Sequence, residues 1–91
     1  MWFFATPRKH RKPRILILEC LENARAGMLF GEIAVQTGMS EDKLRGHIWA
    51  LAYGPCRYAD AMFDAHDQVR YKLNEKGRKY LAEWQREQAE S

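Results

Sequence analysis

The apolar pattern of this 91-residue chain changes its period after Gly54-Pro55, and that change limits the folds open to it. Before that point apolar residues recur every three to four positions; after it, Val69, Tyr71 and Leu73 alternate with Arg70 and Lys72. The first spacing belongs to helices with an apolar stripe, the second to a strand with one covered face. Helices followed by a hairpin make an α+β domain. The length suits one domain, which buries ~60% or more of its unfolded surface. No uninterrupted apolar run, Ile15-Leu16-Ile17-Leu18 included, approaches the ~20 residues of a membrane span. Met1-Trp2-Phe3-Phe4-Ala5 is apolar, but its charges follow it, whereas a secretory signal carries them in front. The expectation is a cytoplasmic protein without a membrane partner.

The punctuation sets the elements. Pro13 suits the first turn of a helix, where its missing N–H costs nothing. From Arg14 to about Ala24, Ile15, Ile17, Leu18 and Leu21 cover most of the helix circumference, which marks the central buried helix. Gly27 breaks it, and Met28-Leu29-Phe30 reads as a small strand. Gly31 to Thr37 is a short second helix with Ile33 and Ala34 inward, ended by Gly38 as a left-handed cap. Ser40 caps a third helix, with Glu41 and Asp42 in its first turn. Its core stripe is Leu44, Ile48 and Leu51, and Gly54-Pro55 stops it. Cys56 to Phe63 pairs antiparallel with Val69–Leu73 through Asp64-Ala65-His66-Asp67. Asn74 caps a last helix in which Tyr80, Leu81 and Trp84 share a face.

The charge is unevenly spread. The net value is +3, yet residues 1–14 hold Arg8, Lys9, Arg11, Lys12 and Arg14 with no acid, while the other 77 residues carry ten Lys/Arg against twelve Asp/Glu. A basic arm over residues 1–12, kept extended by Pro7, on a nearly neutral body over 13–91 points to a polyanion, nucleic acid ahead of anionic lipid.

The stretch from Phe30 to Ile48 resembles the helix-turn-helix pattern: Ala34 lets the helices approach, Gly38 makes the turn, and Ile33, Met39, Leu44 and Ile48 set the crossing. Leu44-Arg-Gly-His-Ile-Trp-Ala-Leu is similar to the recognition helix of ArsR-type winged-helix regulators. Tyr71-Lys-Leu-Asn-Glu-Lys-Gly-Arg-Lys-Tyr-Leu is similar to their wing-to-final-helix junction. The resemblance, which extends to MarR-like domains, covers about residues 13–84. It implies a winged helix-turn-helix fold with about four helices and a small antiparallel wing sheet. It also implies duplex DNA binding as a homodimer, and repressor-like transcription regulation. His47 matches a histidine frequent at this place in ArsR-type proteins and is expected to be packed and hydrogen-bonded.

The residues give their own reasons. With the core stripe inward, Asp42, Lys43, Arg45, Gly46 and Trp49 face out of the third helix, although Trp49 equally suits a core or dimer contact. Arg45 can pair bidentately with guanine O6 and N7. Gly46 lets the backbone come close to DNA, and Ser40 with the free N–H groups after it suits a phosphate. The arm suits the minor groove, and Arg57, Arg70 and Lys72 on the hairpin stem can reach the DNA backbone. Against this, Tyr58 to Asp67 holds Asp60, Asp64 and Asp67 without a Lys or Arg. An acidic wing leaves open a winged-helix adaptor that binds a protein through Trp2, Phe3, Phe4, the wing, Tyr80 and Trp84. His10, His47 and His66 form no nucleophile–base pattern, and Cys20, Cys56 and His66 lack paired ligand spacing. Neither an enzyme nor a cofactor is expected.

Overall fold

A computed structural model describes residues 11–90. Its elements are α1 (Pro13–Glu22), β1 (Met28–Leu29), α2 (Phe30–Thr37), α3 (Glu41–Tyr53), β2 (Ala59–Phe63), β3 (Val69–Leu73) and α4 (Glu75–Glu90). The three strands form one antiparallel sheet in the order β1-β3-β2, with Met28 opposite Tyr71 and Ala61 opposite Tyr71 on the other side. Four helices and this small sheet make an α+β domain with the winged helix-turn-helix arrangement.

Helix α1 is the centre, as its nearly all-round apolar pattern requires. Ile15, Ile17, Leu18 and Leu21 are buried against Ile33 of α2, Leu44, Ile48 and Leu51 of α3, Ala59, Leu73 and Leu81. Burying each Leu or Ile contributes about 1.5–3 kcal/mol. The hairpin stands on this core by one face only: Ala59 and Leu73 at its base are buried, whereas Phe63 at its far end is 73% exposed.

Several boundaries differ from the sequence reading, each for a reason outside local pattern. Helix α1 stops at Glu22, because Asn23 caps it and two tight turns follow, Ala24 N–H to Leu21 O and Gly27 N–H to Ala24 O. Phe30 opens α2 rather than closing the strand; the Glu32 carboxylate accepts from Leu29 N–H at 2.9 Å and starts the helix there. Cys56 to Tyr58 do not pair with β3. Tyr58 N–H instead donates to Leu51 O at 2.9 Å, and its carbonyl accepts from Asn74 N–H at 3.2 Å, so this segment is tied to both helices. Gly54 ends α3 where the Gly-Pro pair predicts, in an extended conformation, and a Cβ there would collide with Ala50 O. Close approach explains that glycine. Tyr80 leaves the Leu81–Trp84 face: Leu81 is buried and Trp84 packs on the core, while Tyr80 stacks on Tyr58 with centroids 4.5 Å apart. Adjacent helical residues sit about 100° apart, so Tyr80 and Leu81 cannot share one narrow face. Among the described residues no helix is long and apolar enough to cross a membrane.

Candidate nucleic-acid interface

The turn between α2 and α3 is held from both sides. Thr37 Oγ1 donates to Ile33 O at 2.7 Å, Gly38 takes φ 73°, and its N–H reaches Ala34 O at 2.9 Å. A left-handed residue here is natural for glycine and strained for most others. Ser40 Oγ then accepts from Lys43 N–H at 3.3 Å. These contacts fix the direction in which α3 leaves the core.

With Leu44, Ile48, Leu51 and Ala52 inward, α3 presents Asp42, Gly46, Trp49 and Tyr53 outward, with Arg45 on one flank and Lys43 with His47 on the other. Arg45 is exposed. Its Nη1 lies 3.2 Å from Asp42 Oδ1, and its guanidinium lies 5.8 Å from the centre of the Phe30 ring. A Cβ at Gly46 would meet nothing within 4 Å, so no contact inside the domain calls for this glycine. Trp49 is 62% exposed, which removes the core alternative, and its ring lies 4.9 Å from that of Tyr53. Phe30, Arg45, Ile48, Trp49 and Tyr71 line a shallow cleft of about 230 Å³ beside it. The Tyr71 hydroxyl there is pushed above its ordinary range by burial first and by the neighbouring Tyr53 second.

On the opposite flank α1 contributes a cation. His47 is half-buried, and its pKa is pulled below the ordinary histidine range by burial first, then by the charges of Arg14 and Lys43. Its imidazole makes no hydrogen bond to another described residue, whereas a hydrogen-bonded histidine was expected. Arg14 and Lys43 thus bring two cations to the surroundings of His47, beside the first turns of α3, which also carry Glu41 and Asp42.

The wing spends its charges internally. Asp64 accepts from His66 N–H at 2.8 Å, Gln68 N–H at 3.0 Å and Arg70 Nε at 2.9 Å. These donors hold its carboxyl below the usual range, the Gln68 N–H contributing most. Arg70 also donates to Gly27 O at 3.3 Å and lies 3.9 Å from Glu32. Its donors are therefore turned to the hairpin and its neighbours, away from the outer face of α3. Lys72 sits opposite Asp60 in the strand register. Arg57 is exposed, and its carbonyl accepts from Asn74 Nδ2 at 2.8 Å. Arg11 is equally committed, donating to both Glu19 carboxylate oxygens at 2.7 and 2.6 Å and lying 5.5 Å from the Trp84 ring. Lys12 is the exposed N-cap residue of α1. Arg8, Lys9 and the aromatic Trp2, Phe3 and Phe4 lie outside the described residues.

The structure therefore groups Ser40, Lys43, Arg45, Gly46 and Trp49 on one helix with Arg14 beside them, and keeps Arg11 and Arg70 apart from that group. Sequence reading missed Tyr53, whose place four residues after Trp49 was a readable signal, and Phe30, whose contact with Arg45 was not. Among the described residues no group of three or more His, Cys, Asp or Glu is placed to hold a metal. Comparison with protein-family models, with curated proteins and with solved structures gives no match to this chain.

Proposed function

We propose that this domain binds duplex DNA in a sequence-dependent way and acts as a repressor-like transcription regulator, with α3 in the major groove. The observation that supports the reading is the pair of cations, Arg14 and Lys43, whose charges both act on His47 beside the first turns of α3. Cations at this point attract a phosphate, and the free N–H groups of the helix's first turn add to that attraction. With a phosphate held there, the outward residues of the first turns meet base edges. Arg45 reads guanine, and Gly46 allows the close approach. Trp49 offers an apolar face to a thymine methyl. Arg8 and Lys9 extend the cationic track toward the minor groove. A homodimer would double the short site that one small module reads.

Selection of random duplex DNA by the purified protein near physiological salt tests this. An enriched motif is the expected result, and a palindrome would give the dimer spacing. A pool without enrichment sinks the reading.

A second reading, an adaptor for a protein partner, is favoured by the exposed aromatics. Trp49 and Tyr53 on α3 and Phe63 on the wing are 62%, 48% and 73% exposed, and such side chains dominate interface hot spots. Phosphate-driven binding weakens steeply with salt, and aromatic-driven binding does so far less.

A further inference from the structure

We infer that the cleft beside α3 holds one unpaired base of a single-stranded nucleic acid, stacked on Trp49 with its edge toward Arg45. Such a ligand goes beyond the duplex reading, because it is a second form of nucleic acid for the same helix.

Phe30, Ile48 and Tyr71 form the floor and walls of the cleft, and all three pack in or against the core. Ile48 is 2% exposed, so the floor is apolar and fixed in place. Trp49 stands at the rim, and the ring of Tyr53 lies 4.9 Å from it at a tilt of 49°. Tyr53 follows one turn later on α3 and braces the indole. Both rings remain largely in water in the free domain, although each could bury on the order of 150–250 Å². An exposed apolar patch beside a preformed cleft marks a binding surface.

Size and polarity select the occupant. A volume of about 230 Å³ falls short of the roughly 300–1,000 Å³ of pockets for drug-sized ligands. The cleft therefore admits one flat ring system and excludes a helix. Among the described residues that line it, Arg45 is the only charged one. Its guanidinium lies 5.8 Å from the centre of the Phe30 ring, so its donors meet the edge of whatever enters there. The exposed contact with Asp42 at 3.2 Å holds it only weakly, as surface ion pairs do. A phenyl or aliphatic side chain from a protein has no acceptor on its edge. A nucleobase brings both a π-face for Trp49 and carbonyl or ring-nitrogen acceptors for Arg45. That base must be out of a duplex, where its faces are covered by its neighbours and only its edges reach a protein. Lys43 lies on the other flank of α3, across a helix about 10–12 Å wide, and meets a phosphate of the same strand.

Fluorescence anisotropy with two labelled strands tests this. One is a thymidine strand of about 12 nucleotides, within the site sizes of single-strand binders, and the other is an abasic strand of the same length. They carry the same phosphates and differ only in their bases. The thymidine strand should bind at least about fivefold tighter, the lower end of one base–aromatic stack. Trp49→Ala should bring the two strands to within about twofold of each other, with a thermal melt showing that the variant is folded. Equal affinity of the unaltered chain for the two strands overturns the inference, because only phosphates are then held. A preference that survives in Trp49→Ala also overturns it, since the base then stacks elsewhere. Binding to neither strand overturns it as well and leaves the cleft to a protein side chain. The duplex selection is scored separately. A duplex motif without base-dependent strand binding keeps the DNA reading and sinks the single-strand site, and the converse result keeps the site alone.

Discussion

The α2-turn-α3 unit and the wing hairpin each carry an acid–base pair three to six residues apart, and the two pairs do opposite things. Asp42 and Arg45 meet at 3.2 Å with side chains 97% and 58% exposed. Such a pair contributes a few tenths of a kcal/mol at most, so a ligand can take Arg45 from it cheaply. Asp64 and Arg70 meet at 2.9 Å with side chains 16% and 29% exposed, and each is also bonded to backbone groups, of the turn and of Gly27 respectively. That pair closes the hairpin and fastens it to the loop after α1. A count of charges along the chain treats both pairs alike. Their value to a partner differs because only one is already committed.

The largest effect that tests this contrast is on stability. Arg70→Ala removes the bonds to Asp64 and Gly27 and should destabilise the domain by about 1.5–3 kcal/mol, read as a drop in Tm of roughly 4–8 °C per kcal/mol. DNA affinity well below the melt should be unchanged; a lower affinity in the folded variant would make the wing a DNA contact and break the comparison. Arg45→Ala should do the reverse. Stability stays within about 0.5 kcal/mol, while discrimination between preferred and random duplexes falls by about 1–3 kcal/mol in competition binding. Equal loss on every sequence would turn Arg45 into a phosphate contact.

Gly46→Ala sharpens the contrast inside α3. The new Cβ meets open space, so the free domain should gain up to about 1 kcal/mol in denaturant unfolding, whereas DNA affinity should fall because the backbone can no longer approach. A stabilised variant with full affinity would remove Gly46 from the interface.

The smallest effect is the pH response of His47. Its pKa in the free domain lies below the ordinary 6.5, so it is neutral at pH 7. A phosphate beside it favours the charged form, so binding takes up a proton and affinity should rise as pH falls below about 7. One proton limits the gain to about tenfold per pH unit. The free domain should respond in the opposite sense, losing stability below about pH 6.5 as the unfolded chain binds that proton more readily. His47→Gln should flatten both curves; an unchanged affinity profile would place the phosphate elsewhere.

Much of the fold was legible because it depends on neighbours. The helix-turn-helix follows from Gly38, from Ser40 three residues before the N–H it caps, and from Leu44, Ile48 and Leu51 on one stripe. The β3 alternation was readable for the same reason. The start of β2 failed because more distant atoms decided it: Tyr58 is held by Leu51 O and Asn74 N–H. The site divides similarly. The outward residues of α3 follow from helical geometry, but the company each one keeps does not.

By itself, then, the sequence determined the α+β class, the order of the elements, the buried stripe of α3 and the concentration of cations in residues 1–14. Each of these is a property of spacing or composition, set by interactions within a few residues. Tertiary structure alone decided which cations remain open to a ligand. It bound Arg70 to a carbonyl 43 positions away and Arg11 to Glu19 and Trp84, and it brought Arg14 beside Lys43 and His47. Such pairings appear only when packing of the apolar core has closed the intervening chain, because no local preference carries information about a partner that far along the sequence.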